Sequence, residues 1–138
     1  NDDDRVMCAD LLDAWLAWRE RRPEARSLLD RTDSVYITSD VLDDWVVTNL
    51  VTARLREAIG DLPGAARVIA RVSTAVPTSP TYRATYLREQ ARLGLQVGDT
   101  AGAIRALRRY VALRQQAEPA LRPEVDRARA ELARLLGR

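Results

Sequence analysis

Apolar side chains along this chain recur every three or four residues, the spacing that places them on one face of an α-helix. Pro23 and Pro80 stand at favoured first positions of helices, and Gly60 and Gly98 end helices. Residues 40–59 are apolar around most of the helix circumference, which predicts a helix buried between neighbours. The pattern predicts helices over residues 3–22, 23–32, 40–59, 60–75, 80–97, 98–117 and 123–136.

Two further segments need comment, one inside the predicted helix over residues 40–59 and one between helices. Residues 46–52 are rich in β-branched side chains and would also suit a strand. No turn residues flank them, however, and the repeat described below favours a helix. Residues 33–39 are expected to form a connector, with Val35, Tyr36 and Ile37 as its apolar anchor.

The chain contains an internal repeat. The segment GDLPGAARVIARV at residues 60–72 returns as GDTAGAIRALRRY at residues 98–110, a shift of 38 positions. A fainter copy lies earlier in the chain. There Ala25, Leu29 and Arg31 have the same spacing as Ala65, Ile69 and Arg71. A helix pair of this size cannot bury its own apolar face, so the repeat predicts stacked helix pairs.

Each repeated residue has a structural reason. Glycine at positions 60 and 98 suits a left-handed helix C-cap, which needs a residue without a side chain. Asp61 and Asp99 follow directly and suit the N-cap of the next helix. A close crossing of the paired helices needs small side chains on both, and the repeat supplies them as Ala53 and Ala65, then as Ala91 and Ala103.

This pattern resembles the tetratricopeptide repeat. Glycine and aspartate, an alanine five residues after the glycine and an apolar residue four further on match that family's motif, and Pro77 matches its terminal proline. The resemblance implies an all-α, right-handed solenoid of helical hairpins that forms a single domain over residues 1–138. It implies three helix pairs and a final helix, over residues 3–36, 40–77, 79–117 and 123–136.

The chain departs from the family on the first helix of each unit. Polar residues or glycine stand where the family favours large apolar side chains, at Asn49, Thr52, Arg56, Gln90 and Gly94. We therefore expect these helices to be rotated or shifted. A second, shorter resemblance lies in EPALRPEVDRARAEL, which is similar to the end of bacterial transcriptional activator domains, themselves built from such repeats.

Composition narrows the functional classes. With 22 basic and 20 acidic residues, the net charge of +2 does not indicate nucleic acid or an anionic membrane as the partner. Every basic residue is arginine, a usage typical of high-GC bacterial genomes. The sequence has no histidine, the usual general base and metal ligand, and no apolar run long enough to cross a bilayer. We expect no enzymatic activity, cofactor, metal, membrane insertion or small-molecule substrate.

Two groups of side chains are weighed as chemical sites. Cys8 shares the predicted apolar stripe of the first helix with Leu12 and Trp15, and without a histidine to activate it we expect a buried core thiol. Aspartate runs at residues 2–4 and 43–44 raise the question of a cation site or paired carboxylates. Adjacent carboxylates on a helix point about 100° apart, so solvated acids that stabilise helix N-termini are favoured.

Arginines at repeated positions form the first candidate interaction surface, named here the convex arginine ladder. On a stacked solenoid they would line the outer face of the second helices and offer a docking strip for an acidic surface, such as residues 2–4 of another copy. A solvated face with local ion pairs, including pairs with Glu124 and Asp126, is the favoured interpretation. Few aromatic residues interleave with these arginines, which disfavours nucleic acid. The ladder comprises Arg31, Arg67, Arg71, Arg105, Arg108 and Arg109.

Two further surfaces are candidates for protein binding. The resemblance places Arg54, Arg88 and Arg92 along a concave groove, where guanidinium groups suit carboxylates of a partner. The asparagines of the family's full carboxylate clamp are not evident. The first helix is also unusually apolar for the end of a solenoid, which favours end-to-end contact with another copy. The residues of that end are Trp15, Leu16 and Trp18.

Together these patterns predict a non-enzymatic protein–protein interaction scaffold whose copies associate head to tail into an oligomer or filament. The alternative is the C-terminal, partner-sensing module of a bacterial transcription regulator or kinase. The chain begins at Asn1 rather than at methionine. A fragment of a regulator would be cytoplasmic, whereas a product of signal peptidase would be extracellular.

Overall fold

The computed structural model describes residues 2–38, 46–71 and 80–137, and the side chains of residues 5–35, 47–71 and 82–137. Every regular element in these ranges is helical, which confirms the all-α prediction and places residues 46–52 in a helix rather than a strand. The elements are α1 (Asp2–Arg19), α2 (Ala25–Thr38), α3 (Val46–Ala58), α4 (Leu62–Ala70), α5 (Pro80–Gln96), α6 (Thr100–Leu113), a 3₁₀ turn (Pro119–Leu121) and α7 (Arg122–Leu136).

These helices form two compact units, Asn1–Val72 (unit 1) and Ser73–Arg138 (unit 2). In unit 1, α1 packs on α2 and α3 packs on α4, and α3 also contacts α1 and α2. In unit 2, α5 packs on α6, and α7 covers α6. The helix pairs are those that the repeat predicts. Their assembly into one right-handed solenoid stays a prediction.

One turn geometry closes the pairs α3/α4 and α5/α6. Gly60 and Gly98 have φ angles of 81° and 82°, the left-handed conformation predicted for these C-caps. In the first turn, the N–H of Asp61 donates to the carbonyl of Arg56 at 2.7 Å, and the N–H of Gly60 donates to the carbonyl of Glu57 at 2.9 Å. This is the Schellman arrangement, and the turn at Gly98 repeats it.

The pair α1/α2 has the same turn with arginine in the place of glycine. Arg21 is the one non-glycine residue in the described ranges with a positive φ, 57°. Its N–H donates to the carbonyl of Trp18 at 3.0 Å, and the N–H of Arg22 donates to the carbonyl of Ala17 at 2.8 Å. The pattern predicts a helix as far as Arg22, because no glycine marks the turn, whereas α1 ends at Arg19.

The aspartates after the glycines cap the next helices, as predicted. Asp61 Oδ1 accepts the N–H of Gly64 at 3.0 Å, and Asp99 Oδ1 accepts the N–H of Gly102 at 2.8 Å. A Cβ atom at Gly64 would lie 2.1 Å from the Asp61 carboxylate, and one at Gly102 would lie 2.0 Å from that of Asp99. A side chain at either glycine would therefore require the capping carboxylate to move from its present position.

The small residues predicted at the helix crossings are buried. In unit 2, a Cβ atom at Gly94 would lie 3.6 Å from the Cβ of Ala103 and 3.2 Å from the Asp99 carbonyl oxygen, so glycine lets α5 approach α6 closely. The apolar residue four positions after each repeat alanine is buried as well. The buried repeat residues are Ala25, Leu29, Ala53, Ala65, Ile69, Ala91, Ala103 and Leu107.

Helix α1 is rotated relative to its predicted apolar stripe. Cys8 is exposed, so the expectation of a core thiol is wrong, and Leu12 is 58% exposed. The face of α1 that packs against the neighbouring helices carries two alanines, whose small side chains allow close packing. It also carries Asp10, whose charge is neutralised by Arg31 of α2. The buried residues of α1 are Met7, Asp10, Ala14 and Ala17.

Other predicted boundaries also change. Residues 33–38 continue α2 instead of forming a connector, and the hydroxyls of Thr32 and Ser34 donate within the helix to carbonyls four residues earlier, each at 3.1 Å. Helix α6 ends at Leu113 rather than Ala117, since residues 114–116 form a turn. The predicted helix start at residue 40 and the predicted end at residue 75 lie outside the described residues.

A buried arginine joins three helices of unit 1. Arg56 of α3 is 1% exposed, although it stands where the family favours an apolar side chain. Its Nη2 donates to Asp30 Oδ1 at 2.7 Å and to Asp33 Oδ2 at 2.6 Å, both on α2. Its Nη1 donates to Asp61 Oδ2 at 2.6 Å, so the N-cap of α4 belongs to the same cluster.

The cluster around Arg56 is electrically balanced. Arg71 Nη2 lies 2.9 Å from Asp33 Oδ2, and Arg26 Nη1 lies 3.3 Å from Asp61 Oδ2, so three arginines face three aspartates. Burial disfavours the charge of Arg56, but the hydrogen bonds and charges of the aspartates outweigh burial and raise its pKa. Burial likewise opposes the ionisation of Asp61, yet Arg56 and the Gly64 N–H hold its pKa below the ordinary value.

We expect Ala103→Arg to unfold unit 2, because overpacking costs about 1–3 kcal/mol and an unpaired buried charge adds to that cost. Ala101→Arg is the matched control, since Ala101 lies exposed on the same helix. Thermal melting followed by far-ultraviolet circular dichroism compares the two variants. Equal melting of Ala103→Arg and wild type would refute the close crossing.

Replacing Arg21 with glycine should stabilise unit 1 by about 1 kcal/mol, because the left-handed conformation costs a residue with a Cβ atom about that much. Arg22→Gly is the control, since Arg22 lies in the same turn without a positive φ and gains nothing from glycine. Urea unfolding measures both free energies. Stabilisation by Arg22→Gly but not by Arg21→Gly would contradict the assigned turn.

Removing the Arg56 side chain should lower the free energy of unfolding of unit 1 by about 3–5 kcal/mol, because the aspartates lose their buried counter-charge. Arg54→Ala is the control on the same helix, with a side chain that is 61% exposed. All three tryptophans lie in unit 1, so tryptophan fluorescence in urea reports this unit. Coincident unfolding curves for Arg56→Ala and Arg54→Ala would show that the cluster does not stabilise unit 1.

Candidate functional site

Two arginines of the convex arginine ladder are held in ion pairs inside unit 1. Arg31 binds Asp10 with two donors, with its Nε 2.6 Å from Asp10 Oδ2 and its Nη2 bound to Oδ1. The hydrogen bond and charge of Asp10 raise the pKa of Arg31. Arg71 pairs with Asp33 in the Arg56 cluster. These two arginines therefore stabilise contacts between helices.

The remaining ladder positions are exposed. Arg67 lies on α4 of unit 1, and three arginines lie on one face of α6 in unit 2, at Arg105, Arg108 and Arg109. The acidic residues expected to pair with the ladder have other partners: Glu124 binds Arg88 at 3.0 Å, and Asp126 binds Arg129 at 3.1 Å. The face of α6 is thus a basic surface directed to solvent.

Unit 2 carries a groove of about 330 Å³ between α5, α6 and α7. Two of the arginines predicted to line a concave groove, Arg88 and Arg92, stand along it. Its apolar walls come from all three helices. The lining consists of Arg88, Glu89, Ala91, Arg92, Leu95, Leu107, Tyr110, Glu124, Arg127, Ala128 and Glu131.

Two ion pairs, Arg88 with Glu124 and Arg92 with Glu89, form within the lining of this groove. Glu124 accepts hydrogen bonds from the hydroxyl of Tyr110 and from Arg88 Nη1. Arg92 Nη2 donates to Glu89 Oε2 at 2.7 Å. Burial, then the hydrogen bond to Glu124, raise the pKa of Tyr110. Three arginines face three glutamates along the lining, so the groove has no net charge to attract a carboxylate.

Unit 1 carries a mainly apolar groove of about 370 Å³ between α1 and α3. Trp15 and Trp18, expected at an end-to-end contact, line it and are 38% and 40% exposed. Arg54, expected in the concave groove, lies on the same lining, whereas Leu16 of α1 is partly buried and is not part of that lining. The guanidinium of Arg19 stands 5.4 Å from the centre of the Trp15 ring, within cation–π range.

The two units carry opposite net charges. Unit 1 has ten arginines against fourteen acidic residues, a net charge of −4, whereas unit 2 has twelve arginines against six acidic residues, a net charge of +6. The overall charge of +2 conceals this difference. An uneven distribution of this size creates a long-range field that steers charged partners.

The described residues show no arrangement suited to metal or membrane chemistry. Within them, no group of three or more cysteine, aspartate or glutamate residues is placed to hold a metal ion. No helix in the described ranges has the length and apolar character needed to cross a bilayer. The side chains of residues 2–4, weighed as a cation site, and residues 43–44, weighed as paired carboxylates, lie outside the described residues.

Two sets of residues were not among the predicted sites. The Arg56 cluster forms from three aspartates, two on α2 and one at the N-cap of α4, and only the polar residue at an apolar repeat position signals it in sequence. A pocket rich in arginine, where α6 ends and α7 begins, draws on residues before and after a proline-containing turn. The only sequence feature that points to this pocket is the seven-residue spacing of Arg122 and Arg129, which places both on one face of a helix.

Comparison with protein-family models, with curated proteins and with solved structures finds no match for this chain. The resemblance to the tetratricopeptide repeat therefore depends on the repeat residues themselves.

Proposed function

We propose that this chain is a non-enzymatic, tetratricopeptide-like interaction module whose copies associate head to tail, the acidic unit 1 of one copy binding the basic unit 2 of the next. The opposite net charges of the two units, −4 and +6, carry the proposal. Unlike ends that attract each other make a heterologous contact, and such contacts build rings or open filaments.

The acidic surface of unit 1 is assigned by elimination. Arginines inside the unit neutralise Asp10, Asp33 and Asp61, so these carboxylates do not make up the surplus of negative charge. The largest remaining run of acidic residues stands at sequence positions 2–4, at the start of α1. This run is the proposed contact on the acidic side.

The basic surface of unit 2 is the exposed face of α6. Arg105 and Arg108 stand one turn apart on this face, and both side chains are exposed. Neither makes an ion pair with another described residue. These exposed guanidinium groups are therefore available to bind carboxylates of a second copy. Electrostatic complementarity would set the orientation and the rate of association.

An apolar contact supplements the charges. Trp15 and Trp18 expose a large part of their rings beside α3, and half-exposed tryptophans in a groove are typical anchors at protein interfaces. Association driven by charge is weakened by salt, while burial of tryptophan is not, so the two contributions are separable by experiment.

We expect the chain to sediment above its monomer mass of 15.5 kDa at about 0.02 M salt and to dissociate toward that mass at about 0.5 M salt. Analytical ultracentrifugation over a range of protein concentrations measures this change. A monomer at every concentration at low salt would refute self-association.

Charge exchange between copies tests which surfaces meet. Arg105→Glu/Arg108→Glu and Asp3→Arg/Asp4→Arg should each abolish self-association, because each brings like charges together. An equimolar mixture of Arg105→Glu/Arg108→Glu with wild type should still associate through the unchanged surfaces, to give short oligomers. Unaltered filaments or oligomers of either double variant would exclude these surfaces as the contact.

A further inference from the structure

Unit 2 has a pocket of about 350 Å³ at the joint between α6 and α7, and the proposed self-association does not use it. Its floor is formed by Val125, which is 2% exposed, and by Ala117 beside it. Guanidinium and amide groups surround this floor. The polar lining consists of Arg114, Gln115, Gln116, Arg122, Asp126 and Arg129.

The backbone holds these groups in place. Arg114 is the C-cap residue of α6, and its N–H donates to the carbonyl of Tyr110 at 3.0 Å. The N–H of Ala117 donates to the carbonyl of Arg114 at 3.1 Å, which closes the turn that carries the two glutamines. Arg122 and Arg129 are seven residues apart and so lie on one face of α7.

The pocket has an excess of positive charge. Asp126 is the single carboxylate of the lining, and Arg129 Nη1 is bound to its Oδ1 at 3.1 Å. Arg114 and Arg122 make no ion pair with any residue that the structure describes. Three arginines and one aspartate leave a net charge of +2, carried by two guanidinium groups whose donors are available to a ligand.

We propose that this pocket binds a phosphate group, presented either by inorganic phosphate or by a phosphorylated peptide. Guanidinium groups donate in a planar fork that matches the oxygens of phosphate, and a charge near −2 on the ligand balances the +2 of the lining. The side-chain amides of Gln115 and Gln116 supply further donors at the rim. This inference does not depend on self-association.

Isothermal titration calorimetry of the full chain with inorganic phosphate, at ionic strength held constant with chloride, tests the site. Arg114→Gln/Arg122→Gln should weaken binding by at least about tenfold. Arg83→Gln/Arg127→Gln is the matched control, because it removes the same charge from exposed residues of unit 2 that lie outside both this pocket and the proposed interface, and it should leave phosphate binding within about twofold of wild type. Circular dichroism checks that both variants are folded.

A phosphoserine peptide and its unphosphorylated counterpart distinguish the two sources of the ligand. Binding of the phosphopeptide at least about tenfold tighter than inorganic phosphate would assign the site to a phosphorylated partner, and comparable affinities would assign it to the free ion. Arg114→Lys/Arg122→Lys keeps the charge but loses the fork, and should still weaken either ligand. Absence of binding by wild type, or equal weakening by the pocket variant and by Arg83→Gln/Arg127→Gln, would overturn the proposal.

Discussion

A tight turn in which a left-handed residue is followed by a capping group is the constraint on which both units depend. At Gly60 and Gly98 the turn ends one helix, and the aspartate that follows begins the next, so two helices are joined with few unsatisfied backbone groups. The short connection sets the close approach at which alanine becomes necessary. The glycines of the repeat therefore form helix ends rather than a ligand-binding loop.

The two units stabilise the same hairpin by different means. A shift of 38 residues places Gly94 of unit 2 on Arg56 of unit 1. Glycine lets α5 and α6 pack closely, while arginine at that position holds α2, α3 and α4 through three aspartates. Asp61 both caps α4 and binds Arg56, so the turn and the buried cluster of unit 1 support each other.

The two units also use their charged residues differently, some in ion pairs between helices and others at the surface. Unit 1 has more acidic than basic residues, and because the Arg56 cluster is electrically balanced, this acidic surplus lies outside the cluster. Unit 2 holds its core with apolar side chains such as Leu87, Tyr110 and Val125, which leaves arginines of α6 and α7 at the surface. The proposed interface and the proposed phosphate pocket both draw on these surface arginines.

The glycine C-caps and aspartate N-caps were predictable from sequence because each follows from backbone geometry within a few residues, and the 38-residue repeat made the helix pairs and crossing alanines predictable as well. The sequence did not reveal that Arg21 adopts the glycine conformation, that Cys8 faces solvent, or that residues 33–38 are helical. Contacts between residues distant in sequence settled the packing: the rotation of α1 places Asp10 against Arg31 of α2, and the burial of Arg56 depends on Asp30 and Asp33 of α2 as well as on Asp61. Grooves and pockets depend on the same long-range contacts, since their walls come from several helices.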